Sequence, residues 1–83
     1  MIDRAKLHRD GKGATFIGAG GYTCYRLLRI ATGRMHKDIR WAVVKERHQR
    51  HGESQELMMP IRQWDNLLAE ARQLQSLADG GRP

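Results

Sequence analysis

The stretch Leu57-Met58-Met59-Pro60-Ile61-Arg62-Gln63-Trp64-Asp65-Asn66-Leu67-Leu68 marks a change of periodicity in this chain of 83 residues. From Pro60 onward Ile61, Trp64, Leu67, Leu68, Ala71, Leu74 and Leu77 recur at three- and four-residue spacing, the interval that lines side chains along one side of an α-helix. Proline suits the first helical position, where its missing N–H has no intrahelical partner to lose, and Gly80-Gly81 after Asp79 suits the opposite end. The spacing therefore predicts one amphipathic helix from Pro60 to Ala78 whose apolar stripe packs on something. Burying each large side chain contributes about 1.5–3 kcal/mol. Trp64, within the stripe, is expected in the core, and Met58-Met59 are expected to fill gaps there.

Upstream of Pro60 the alternation is that of strands. Tyr22 to Thr32 mixes aromatic, β-branched and aliphatic residues, with Tyr22, Cys24, Leu28 and Ile30 on its even face, interrupted by Arg26, and Thr23, Tyr25, Leu27 and Arg29 on the odd one. Ile39 to His48 alternates again through Ile39, Trp41 and Val43, and Gln55 to Met59 forms a short strand after a turn around Gly52. Thr15 to Ile17 is a short β-prone stretch ending at Gly18-Ala19-Gly20-Gly21, which reads as a turn. Gly33 to Asp38 supplies another turn. The expected fold is α+β, a small antiparallel sheet of three to four strands followed by one C-terminal helix. Residues 1–14 read as a flexible basic arm, 15–79 as a single domain and 80–83 as a disordered tail.

Charge is segregated in the same way as periodicity. Between Arg26 and Arg50 eight Arg and Lys residues face two acids, Asp38 and Glu46, a balance of +6, whereas Arg62 and Arg72 cancel Asp65 and Glu70 on the helix. A positive field concentrated on one element attracts a polyanion. Arg26, Arg29, Lys37, Arg40, Lys45 and Arg47 interleave with Tyr22, Tyr25 and Trp41, so cations can neutralise phosphates while flat rings stack on unpaired bases. These cations together with Trp41 form the expected nucleic-acid-binding set. A single cysteine, Cys24, allows no internal disulfide, and no apolar N-terminal run reads as a signal or membrane span, so a reducing, cytoplasmic setting is expected. A chain this short supports a thin core, and partner subunits are a natural source of further stability.

Other chemistries find less support. Phe16-Ile17-Gly18-Ala19-Gly20-Gly21 has the glycines of a dinucleotide-binding turn but is followed by a strand-like run in place of a helix. His36, His48, His51 and Cys24 are the soft metal ligands, and no second paired set completes a tetrahedral site; no metal or other cofactor is expected. The acids are scattered singly among cations, without the grouping of nucleophile, base and orienting partner that catalysis needs, so the chain does not read as an enzyme.

Asp38-Ile39-Arg40-Trp41, the turn at His51-Gly52-Glu53 and the run Leu57 to Leu67 together resemble the single-stranded-DNA-binding transcriptional coactivators of the positive-cofactor-four type. The resemblance covers roughly Tyr22 to Leu77. It implies a homodimer formed through the C-terminal helices, with paired β-ribbons clasping unpaired DNA, Arg40 and Trp41 as strand contacts and Trp64 as core. A glycine-lysine turn typical of that family is missing, and the glycine cluster before Tyr22 has no counterpart in it. The expectation is a small basic protein that binds single-stranded DNA in transcription regulation or DNA metabolism. The alternative is a small inhibitor or adaptor, of the kind mobile elements encode, that binds an acidic or nucleic-acid-binding surface of a host protein.

Overall fold

The computed structural model describes residues 2–32, 39–49 and 52–78. It is an α+β arrangement in which five antiparallel strands form one sheet in the order β1-β2-β3-β4-β5, followed by a helix. The elements are β1 (Ile2–Leu7), β2 (Gly13–Gly18), β3 (Gly21–Thr32), β4 (Arg40–His48), β5 (Ser54–Pro60) and α1 (Ile61–Ala78). The sheet has five strands where three to four are expected, because residues read as an arm form β1. Ala5 and Leu7 point inward and Arg4 and Lys6 outward, a short period-two pattern in which alanine stands where a larger apolar residue would have announced a strand. Pro60 closes β5, and the helix begins one residue later. Gly18 pairs with Gly21 across the Ala19-Gly20 turn, where Gly21 takes a positive φ of 132°.

Helix α1 lies diagonally over one face of the sheet, packing chiefly on β1 and reaching β4 and β5 at its N-terminal end. Its burial divides into two clusters. Ala5, Ala14, Phe16 and Ala71 form one, joined by Leu7, Leu67, Leu68 and Leu74; Ala42, Val44, Met59 and Trp64 form the other, joined by Leu27 and Ile61. Tyr25 touches both and meets Phe16 edge to face, with ring centroids 5.9 Å apart. Trp64 is 3% exposed, as the stripe predicts. Leu77 is exposed instead of packed, lying just beyond Gln75, whose Oε1 accepts the Leu7 N–H at 2.8 Å and so occupies one outward-facing donor of the β1 edge. Met58 and Met59, adjacent in β5, point to opposite sides of the sheet. Only Met59 is core, while Met58 is 62% exposed. Among the described residues no helix is long and apolar enough to cross a membrane.

Candidate nucleic-acid interface

Strand register decides which side chains share the face that α1 leaves uncovered. Between Leu27 and Arg29 the pairing of β3 with β4 shifts by one: Leu27 opposes Val44, Arg29 opposes Val43, and Leu28 has no partner. This one-residue bulge resets the alternation. Without it Arg26 and Arg29, three residues apart, would project to opposite sides; with it both project away from the helix, and Ile30 joins Leu27 on the helix side. The alternation from Tyr22 to Thr32 read as unbroken in the sequence is corrected accordingly.

The uncovered face is a set of rows running across the strands. Arg4, Ile17 and Tyr22 make the first; Lys6, Thr15, Cys24, Arg47 and Ser54 the second; Gly13, Arg26, Lys45 and Glu56 the third. Arg29, Val43 and Met58 follow, and then Ala31, Trp41 and Pro60. Five of the expected contact residues, Arg26, Arg29, Trp41, Lys45 and Arg47, therefore share one face. Arg40 does not: it pairs with Thr32 in the alternate parity and projects toward the helix side. Lys37 lies outside the described residues. Tyr25 is likewise absent from the open face, since it belongs to the helix-packed core. Arg4 and Lys6 are additions that a strand reading of the first residues would have supplied. Tyr22 and Trp41 stand at opposite ends of the rows, eight strand steps apart once the bulge is discounted, which spans roughly 25 Å.

Most of these cations are exposed, and among the described residues Arg26 is the one that holds an ion pair, with Asp10 of the β1–β2 turn. The Arg26 guanidinium, and after it the Lys12 backbone N–H, hold the Asp10 carboxyl down at about 2. Both partners are about half exposed, and such surface pairs contribute little, so a phosphate can displace the carboxylate. Asp10→Asn is accordingly expected to strengthen oligonucleotide binding about 2–5-fold and to steepen its salt dependence by less than one unit of slope, read by anisotropy titration. Nearby, His8 Nε2 lies 3.0 Å from Thr15 Oγ1 and 3.7 Å from Cys24 Sγ, covering part of the second row. The same ring sits so close to Gly13 that a β-carbon there would fall 2.4 Å from both His8 Nδ1 and the Tyr25 carbonyl oxygen.

A polar network occupies the helix side of the same sheet end. Buried Glu46 is bound through Oε1 by His48 Nε2 at 2.9 Å and by the Gln55 amide at 2.8 Å, and it also accepts from the Tyr25 hydroxyl. His48 Nδ1 in turn lies 2.9 Å from Thr23 Oγ1. Hydroxyl, imidazole and carboxylate stand in the order of a hydrolytic relay, but the carboxylate is shared with Gln55 and Tyr25 and Thr23 sits within a strand pair. The arrangement satisfies a buried charge between paired strands.

No family model, curated protein or solved structure matches the chain. What is established is the class of architecture: a five-stranded antiparallel sheet backed on one side by a C-terminal helix, with Arg4, Lys6, Arg26, Arg29, Lys45 and Arg47 on the other.

Proposed function

We propose that this protein binds single-stranded nucleic acid, with DNA favoured, on the sheet face opposite α1. One observation carries the reading: Arg4, Lys6, Arg29, Lys45 and Arg47 project from a single face between two aromatic side chains, with Glu56 as the acid those rows contain. A sheet face with cations between flat rings suits an unpaired strand, whose phosphates take the charge and whose bases stack. The distance from Tyr22 to Trp41 spans a length of about four nucleotides, at the lower end of single-strand site sizes. Duplex reading asks for a basic helix or ribbon that enters a groove, and α1 carries balanced charge. A regulatory role in transcription or DNA metabolism belongs to the same proposal, as does the homodimer that the resemblance implies. In such a dimer α1 would meet its copy through Leu77 and its polar outer residues, because the rest of its large apolar side chains pack on the chain's own sheet. Sedimentation equilibrium decides that point.

Titration of a labelled single-stranded oligonucleotide at two salt concentrations tests the reading. With these five cations engaged, the logarithm of affinity is expected to fall against the logarithm of salt with a slope of about −3 to −4. Trp41→Ala should weaken binding about tenfold with its melting temperature little changed. Absence of binding at low salt would remove the proposal and turn attention to an acidic protein partner. If Trp41→Ala instead unfolds the domain, Trp41 belongs to the interior and its stacking role lapses.

A further inference from the structure

At the hairpin end of the cationic face lies a cavity of about 250 Å³ lined by Thr15, Ile17, Gly18, Gly21, Tyr22 and Gln49. Ile17 and Tyr22 are direct cross-strand partners and make its apolar wall, with Tyr22 37% exposed. Gly18 and Gly21, paired at the tight turn, bring no side chains, so that rim is open backbone. Gln49 closes the other side. Its backbone N–H donates to the Tyr22 carbonyl at 3.1 Å, and its Oε1 lies over Gly21, where a β-carbon would come within 2.6 Å of it.

We infer that this cavity is a subsite for one unpaired nucleobase, with Tyr22 and Ile17 contacting its face and the Gln49 amide meeting its edge. The inference rests on the proposed binding of a single strand and names what that site recognises. Three features converge on a base. The wall is largely apolar and includes an aromatic ring, which a flat heterocycle can stack upon. An amide presents a donor and an acceptor side by side, matching the paired donor and acceptor groups of base edges. Cations flank the cavity in the same rows, Arg4 opposite Ile17, Lys6 opposite Thr15, and Arg47 opposite Cys24, so that the phosphates on either side of a seated base fall among guanidinium and ammonium groups. Because the charge continues beyond the cavity through Arg29 and Lys45, the occupant is a base within a strand and not a free nucleotide.

The test compares two labelled strands of about a dozen nucleotides, oligothymidine and the same sugar-phosphate backbone with abasic residues, together with thymidine monophosphate as competitor. The wild-type protein is expected to bind oligothymidine at least tenfold more tightly than the abasic strand. Tyr22→Ala and Gln49→Ala should each lower the oligothymidine affinity about 5–10-fold while leaving abasic binding and the salt slope unchanged, and Tyr22→Phe should retain most of the affinity. If both alanine variants keep the wild-type ratio between the two strands, the subsite is refuted while single-strand binding stands. If the wild-type protein binds neither strand at low salt, the proposed function fails and the subsite with it. Competition by thymidine monophosphate at the affinity of the strand itself would overturn the assignment to a strand. Gln49 is exposed and its substitution leaves the core intact, so the comparison survives even if Tyr22→Ala proves unstable.

Discussion

Trp64→Ala is expected to cost about 3–5 kcal/mol of folding stability, the largest loss of any single substitution considered for this chain. Trp64 is 3% exposed and packs among Ala42, Val44 and Met59, flanked by Ile61, Leu67 and Leu68. Removing the indole leaves a cavity at the place where α1 joins β4 and β5, and Ala42 and Val44 on the strand floor have little reach to close it. At the lower end of the usual range of about 5–15 kcal/mol, where a thin-cored domain of this size falls, this loss populates the unfolded state measurably near room temperature. Urea denaturation followed by circular dichroism reads it directly. The contrast with Trp41→Ala is itself informative, because two tryptophans in one small domain are assigned opposite duties. Equal destabilisation by both variants would contradict the role of half-buried Trp41 on the open face.

Glu46→Ala should be the second most costly change, about 2–3 kcal/mol, because it strips His48, Gln55 and the Tyr25 hydroxyl of a common acceptor. The same network gives stability a dependence on pH whose sign can be worked out. Burial alone would raise the Glu46 carboxyl, but the donors Gln55, His48 and Tyr25 outweigh it and hold the group below its ordinary value of 4.5. Its contribution is therefore complete above 4.5 and is lost as pH falls through the lower, folded-state value. Tyr25 runs the other way. Burial first, and then the charge of Glu46, push its hydroxyl from 10.0 up to about 12. Its share of stability is intact below 10 and disappears as pH climbs toward 12. Thermal melts across pH should show a plateau bounded by these two limbs. In Glu46→Gln the acid limb should flatten, and the alkaline limb should move down toward the ordinary tyrosine range. An acid limb unchanged in that variant would show that other carboxylates set it.

Period and composition made the helix and the long strands legible, because Trp64, Leu67 and Leu68 repeat at helical spacing and Trp41, Val43 and Lys45 alternate along β4. The first strand was obscured by its own chemistry. Ala5 is 5% exposed and Leu7 half-buried, yet alanine adds little apolar signal and the charged Arg4 and Lys6 dominate the stretch. Parity within β3 was hidden for a different reason: Leu27 and Leu28 are identical in type, so nothing local announces which of them lacks a partner. Everything beyond that point, including the placement of Arg29 and Ile30, follows from pairing with β4. The same limitation explains Arg40, whose residue type suited a contact while its register did not. Adjacent Met58 and Met59 could not be told apart until the register of β5 set Met59 beside Ala42 and Met58 beside Val43. For the Thr23–His48–Glu46 network the signal was present but scattered over two strands, and only register brings its members together.

The unpaired Leu28 carries an implication for how chains related to this one would diverge. Losing that codon would leave Arg29 opposite Val43 and Ile30 opposite Ala42, so every later residue of β3 would keep its present side, whereas losing one codon from the regularly paired part of β4 would force a change of side or a new bulge. The first variant would present the same array of guanidinium groups to solvent, and the second a different one. A gap aligned at Leu28 would then report harmless variation in length, and a gap within β4 altered ligand preference.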